Sequence, residues 1–147
     1  MASSLKLSQR EDKEPDMSQS ICPTCQQAGK SAETLTLKAL LAVSLTELRT
    51  VEYHFCPTSD CSTVYFSADG SQCFSEAQLR ERVYQKHPDD PNVFVCYCFR
   101  HTIESIKREP KAVLAAVTQG IKAGLCACDV RNPQGTCCLG NVRKESV

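Results

Sequence analysis

Ten of the eleven cysteines in this chain stand in tight pairs: Cys22/Cys25, Cys56/Cys61, Cys96/Cys98, Cys126/Cys128 and Cys137/Cys138, with Cys73 alone. No other feature constrains the fold as much. A disulfide scaffold gains stability by closing long loops, which C-x-C and vicinal pairs do poorly. The odd count argues the same way. So does the polar start MASSLKLSQREDKEPDMSQS, which has no apolar segment of the kind a secretory signal needs. Several thiolates delivered to one point are what a metal requires. The pattern predicts metal sites in a reducing compartment, the cytoplasm.

With 147 residues and 41% hydrophobic content, the chain can form one ordinary core or two small ones. Two small cores need help from a metal, disulfides or a partner. Lysine plus arginine equal aspartate plus glutamate at 17 each, so nucleic acid is not a favoured partner. No apolar run reaches the roughly 18 residues of a membrane span. The chain has no Ser/His/Asp set, phosphate-binding glycine loop or H-E-x-x-H motif, and an enzyme is not expected.

Residues 1–20 are charged and serine-rich and predict a disordered tail. A first unit is expected over 21–86. It begins with a Cys22-Pro-Thr-Cys25 turn and a short helix over Thr34–Val43, where Leu37, Leu40 and Leu41 recur at helical spacing. Val51, Tyr53 and Phe55 alternate with polar residues, and Val64-Tyr65-Phe66 follows, so a hairpin is predicted with Cys56 and Cys61 at its tip. Phe74 marks a third short strand. Ser75 with Gln78 reads as a capping box opening a helix through Val83.

His87-Pro-Asp-Asp-Pro91 reads as a linker, and a second unit is expected over 92–142. There Val93-Phe94-Val95 leads into Cys96-Tyr97-Cys98. Thr102 caps a helix over Ile103–Arg108, and an amphipathic helix over Lys111–Ala123 ends at Gly124. The predicted class is α+β: a small zinc-stabilised hairpin domain followed by a helical [2Fe–2S] domain.

C-x-x-C at 22–25 and C-x₄-C at 56–61 supply four thiolates from two short loops, which suits tetrahedral zinc. Metal binding then supplies folding free energy that a thin core lacks. A thioredoxin-like role for Cys22/Cys25 would need a preceding βαβ pattern, and none is present. His54 is the alternative ligand, but it is expected on the outer face of a strand. Cys73, beside Phe74, is expected as a buried small hydrophobe.

The second half follows a different logic. Cys96-x-Cys98 places two sulfurs on one short loop. Some 30 residues with two helices separate them from Cys128 and the Cys137/Cys138 pair. A [2Fe–2S] cluster takes two thiolates per iron, and helix N-termini next to such cysteines favour an anionic group. Tyr97 and Phe99 are placed to shield it from solvent.

The segment Val95-Cys-Tyr-Cys-Phe-Arg-His-Thr102, followed by Ile-Lys-Ala-Gly-Leu-Cys126, resembles the [2Fe–2S] domain of bacterioferritin-associated ferredoxins. The order of Cys22-Pro-Thr-Cys25, Cys56 to Cys61, Val64-Tyr65-Phe66, Cys96-Tyr97-Cys98 and Asn132-Pro-Gln-Gly-Thr-Cys-Cys138 resembles the N-terminal domain of CopZ-type copper chaperones. That fold joins a zinc-binding half to a [2Fe–2S] half. By position, the resemblance implies zinc ligands Cys22, Cys25, Cys56 and Cys61. It implies cluster ligands Cys96, Cys98, Cys128 and one of the vicinal pair, Cys138 in preference to Cys137. The register Cys128-x₃-Asn132-Pro133 favours Cys128 over Cys126. Cys73, Cys126 and Cys137 stay unassigned, as spare thiols or as Cu(I) ligands.

Chaperones of this type also carry a heavy-metal domain with M-x-C-x-x-C. In this sequence the one C-x-x-C is at 22–25, with Ser20 where the motif needs Met. The expectation is a metallochaperone that handles a soft, copper-like ion or its redox step, with a metal-transporting or redox protein as partner. The alternative is a [2Fe–2S] electron carrier without metal transfer. A third reading is an interaction module in which zinc and the cluster only stabilise the fold.

Overall fold

The protein is described by a computed structural model over residues 21–147; the tail expected at 1–20 lies outside the described residues. Four strands, β1 (Lys30–Ala32), β2 (Tyr53–Phe55), β3 (Thr63–Ser67) and β4 (Cys73–Ser75), form one antiparallel sheet in that order. β2 and β3 are the predicted hairpin, in a register that sets Phe55 opposite Tyr65 and His54 opposite Phe66. β1 was not signalled, because only Ala32 of its three residues is buried.

Helix α1 (Thr34–Leu40) packs Leu37 and Leu40 against the sheet residues Tyr53, Phe55, Tyr65 and Phe74. It stops short of the expected Val43 because Leu41 turns extended and bridges Leu79. The same bridge overrides the helix expected through Val83. The capping box of Ser75 and Gln78 is present, but it opens a single 3₁₀ turn over Glu76–Gln78. Leu79 then returns to extended backbone, and Arg80 donates its N–H to the Leu40 carbonyl at 2.7 Å. Tertiary pairing outweighs the local helix signal here.

The Pro-rich stretch after it is tied down. The Glu76 carboxylate accepts from the Val83 N–H at 2.7 Å and faces His87 Nε2 at 2.6 Å, and Arg82 pairs with Asp90.

Strands β5 (Phe94–Cys96) and β6 (His101–Thr102) form a two-stranded ribbon. Thr102 caps helix α2 (Ile103–Arg108) through Ser105, and Pro110 opens helix α3 (Pro110–Lys122). Gly124 ends that helix at φ +74, a conformation that glycine adopts without strain. Two short helices follow, α4 (Cys128–Arg131) and α5 (Leu139–Glu145). α5 was missed, since only Leu139 and Val142 of its seven residues are strongly apolar. Its Val142 is fully buried with Val95, Ile106 and Val117. The ordered chain thus runs past the expected limit of 142, and Tyr84 donates its hydroxyl to the Glu145 carboxylate at 2.5 Å.

Buried and part-buried hydrogen bonds join the two halves. The Thr36 hydroxyl donates to the Asp129 carbonyl at 2.7 Å, and the Tyr65 hydroxyl to the Pro133 carbonyl at 2.5 Å. The Tyr97 hydroxyl donates to the Arg82 carbonyl at 2.5 Å and accepts from the Tyr84 N–H at 3.0 Å.

Candidate metal centres

The structure brings Cys22, Cys25, Cys56 and Cys61 together. Two tight ribbons supply them. In the first, the Cys22 N–H donates to the Gln27 carbonyl at 2.9 Å, and Gln26 turns through φ +64. In the second, the Cys56 N–H donates to Val64 and the Cys61 N–H to Thr58, which closes the β2–β3 loop. A 2.7 Å hydrogen bond between the hydroxyls of Thr24 and Thr63 links the two ribbons.

All four sulfurs lie within 4.8 Å of one another, with Cys22–Cys61 at 3.9 Å and Cys25–Cys56 at 3.6 Å. A tetrahedral zinc with bonds of about 2.3 Å spaces its sulfurs about 3.8 Å apart. The thiols therefore hold the spacing of a zinc tetrahedron. Phe66 packs beneath them, and Gly29 lets the chain pass over its ring, where a Cβ would sit 2.7 Å from the ring edge.

The thiols are not equivalent. Burial pushes Cys61 up to about 12 and raises Cys56. Burial also raises Cys25, but hydrogen bonds with Thr58, Gln27, Cys56 and Cys22 outweigh it and bring that thiol down to about 7. Cys25 is thus the thiol of this group nearest to ionising at neutral pH, and a bound metal favours the thiolate form.

Two neighbours depart from expectation. His54 is not solvated but 8% exposed, stacked beside Phe66 with ring centroids 5.5 Å apart. Neither ring nitrogen has a hydrogen-bond partner, and His54 is not one of the four converging ligands. Cys73 is exposed rather than buried, because alternation along β4 gives the core position to Phe74.

A second thiol group forms in the other half from Cys96, Cys98, Cys128 and Cys138. Cys98 and Cys128 sulfurs lie 3.7 Å apart, and the Cys138 thiol sits beside those of Cys96 and Cys128. Contact thus runs as a chain, Cys96–Cys138–Cys128–Cys98, a more extended arrangement than the first. Cys96 ends β5, Cys128 opens α4 and Cys138 precedes α5. Backbone N–H groups point at the sulfurs: Ala127 donates to Cys98 at 3.0 Å, Phe99 and Cys98 to Cys96, and Cys138 to Cys128. The Cys138 hydrogen bond is the main cause that brings Cys128 down to about 6 and Cys96 to about 7. The same bonds hold Cys138 protonated, and burial pushes Cys98 up to about 11.

Of the vicinal pair, Cys138 is buried in the group and Cys137 is exposed; of the other, Cys128 is buried and Cys126 half-buried. All eleven cysteines are free.

Sequence reasoning treated Asn132-Pro-Gln-Gly135 as a turn and missed what it holds. Asn132 is 2% exposed; its side chain accepts from the Gln134 N–H, donates to the Thr136 carbonyl and hydrogen-bonds Cys128. Gly120 was missed too. Phe99 lies across it, and a Cβ there would sit 2.3 Å from the ring. A glycine in mid-helix was the available signal.

Residues 19–80 match the family model of the CopZ zinc binding domain. The X-ray structure of the Archaeoglobus fulgidus CopZ N-terminal domain is similar over 84% of this chain and 95% of that chain, at 28% identity and a TM-score of 0.63. The chain has the architecture of a CopZ-type N-terminal domain. No curated protein is significantly similar in sequence. The CopZ match covers the Cys22, Cys25, Cys56 and Cys61 ribbons, and a CopZ-like zinc-binding domain with a four-cysteine group supports Zn²⁺. Among the described residues no helix is long and apolar enough to cross a membrane.

Proposed function

We propose that this protein is a cytoplasmic metallochaperone that holds zinc at Cys22, Cys25, Cys56 and Cys61 and a [2Fe–2S] cluster at Cys96, Cys98, Cys128 and Cys138. It would act in the trafficking of a soft ion such as Cu(I) or in its redox step, delivering to a metal-transporting or redox protein. The observation that carries the cluster assignment is the second thiol group, where cysteines from the end of β5, the loop after it, α4 and the start of α5 lie in a chain of contacts and the Ala127 N–H donates to Cys98. Donors aimed at sulfur favour the thiolate form and an anionic group. When bound, the cluster supplies one-electron redox chemistry.

The chain's own part is to hold these thiolates and to limit water. Tyr97, 1% exposed, is fixed by the Arg82 carbonyl, and Phe99 lies on Gly120 beside Cys98. A closed four-thiolate zinc site leaves no open coordination position, so binding and transfer, rather than catalysis, is the reading. The exposed Cys137 and half-buried Cys126 next to the ligand cysteines are the thiols available for a soft cation in transit.

The test is metal and sulfide analysis of anaerobically purified protein with its visible spectrum. Two iron, two sulfide and one zinc per chain are expected. Zinc without cluster absorbance would overturn the [2Fe–2S] assignment. Titration with Cu(I) then separates a chaperone, which binds the added ion while keeping zinc and cluster, from an electron carrier, which binds none.

A further inference from the structure

We infer that the zinc-binding half positions the loop that carries Cys128 and Cys138, with Tyr65 and Thr36 as its positioning residues. That loop is short and irregular. α4 is a single turn of four residues, and the turn after it depends on the Asn132 side chain and on a Gly135 at φ +79.

Two buried hydroxyls from the other half reach across to it. Tyr65 and Thr36 are both 0% exposed. The Tyr65 hydroxyl donates to the Pro133 carbonyl at 2.5 Å, and the Thr36 hydroxyl to the Asp129 carbonyl at 2.7 Å. One carbonyl lies within the Cys128–Asn132 segment and the other directly after it. Gly135 closes the contact, since a Cβ there would lie 3.0 Å from the Thr36 hydroxyl oxygen. The Pro133 carbonyl is buried and has no water to replace a lost donor, so the Tyr65 bond holds more firmly than a surface one; the Thr36 bond is part-buried.

The link continues to the zinc ligands. Tyr65 lies on β3 between Val64, whose carbonyl accepts from the Cys56 N–H at 2.7 Å, and Phe66, which packs under the four thiols. When the Cys22, Cys25, Cys56 and Cys61 group is closed by metal, β3 is fixed and so is the donor at Pro133. Loss of zinc would free β3 and loosen the loop that brings Cys128 and Cys138 to Cys96 and Cys98. The chemical consequence, a shorter cluster lifetime, rests on the cluster assignment above; the mechanical link does not.

The test compares the full-length chain with Tyr65→Phe and Thr36→Val, each of which keeps side-chain shape and removes only the hydroxyl. Amide hydrogen exchange of residues 129–137 is read in zinc-loaded protein, with zinc content and melting temperature as checks on folding. Losing one buried hydrogen bond should speed exchange of the Asn132 and Gly135 amides about tenfold while zinc stays at one per chain. Removing zinc with a chelator should speed the same amides. In iron-loaded protein, both variants should lose visible absorbance severalfold faster under an iron chelator. Unchanged exchange at 129–137 in both variants would overturn the inference. If wild-type protein takes up no iron, the cluster assignment fails, and the exchange measurement still decides the positioning role.

Discussion

The two thiol groups differ in what supports them. Cys22, Cys25, Cys56 and Cys61 sit on two short ribbons, every sulfur near every other, over the single ring of Phe66. Cys96, Cys98, Cys128 and Cys138 come from a strand end, a loop and the starts of two helices, with a chain of contacts and a larger core behind them. A compact tetrahedron is complete within one hairpin and one turn. An extended group needs ligands from distant parts of the chain, so its geometry is only as good as the packing that brings them together.

Removing one cysteine from each group should separate the two most strongly. Cys56→Ser should abolish zinc binding and unfold the first half, because structural zinc supplies on the order of 10 kcal/mol of apparent folding free energy. On the proposed cluster assignment, Cys96→Ser should remove iron yet leave zinc at one per chain and the sheet intact. Metal content and near-ultraviolet circular dichroism read both. Equal losses in the two variants would mean that the groups are not separable.

The two close-packed glycines test the same contrast at a smaller scale. At Gly29 an added methyl meets the Phe66 ring at 2.7 Å and the rigid Phe55 carbonyl at 2.8 Å, so Gly29→Ala should destabilise by about 1–3 kcal/mol and weaken zinc binding. At Gly120 the obstacle is only the Phe99 ring. Gly120→Ala should therefore cost less than Gly29→Ala, since helix propensity favours alanine by about 1 kcal/mol. Its mark should be a displaced Phe99 and faster loss of visible absorbance in iron-loaded protein. Denaturation midpoints rank the two.

His54 carries two unpartnered ring nitrogens at 8% exposure. His54→Phe keeps a ring against Phe66 and removes the unmet polar atoms, so urea unfolding should show a gain of about 1 kcal/mol with zinc retained.

The smallest effect is a pH dependence shared by the halves. Burial lowers His101 below its usual 6.5, and likewise His54. Below about 6.5 the unfolded chain binds protons that the folded one refuses, so stability rises with pH up to that range and then levels off. His101→Gln should flatten part of the slope in zinc-loaded protein.

Much of this was legible in one sequence. The α+β class, the β2–β3 hairpin, the Thr102 cap and the Pro110–Lys122 helix follow from period, capping residues and proline, all local signals. The errors are nonlocal. The Ser75–Gln78 box forms but does not propagate, because Leu79 is claimed by Leu41 across the fold. α5 escaped notice because its stability comes from burying Val142, and Cys73 was misplaced by its neighbour Phe74.

Spacing alone sets which thiols stand in pairs, because a C-x-x-C or C-x-C loop is local chemistry. Packing is what turns Cys138 inward and leaves Cys137 in solvent, and what sets the Tyr65 and Thr36 hydroxyls on the loop between Cys128 and Cys138. The two hydroxyl bonds depend on which carbonyls find donors across nearly 70 or more residues of chain, a matter of packing that no short spacing encodes.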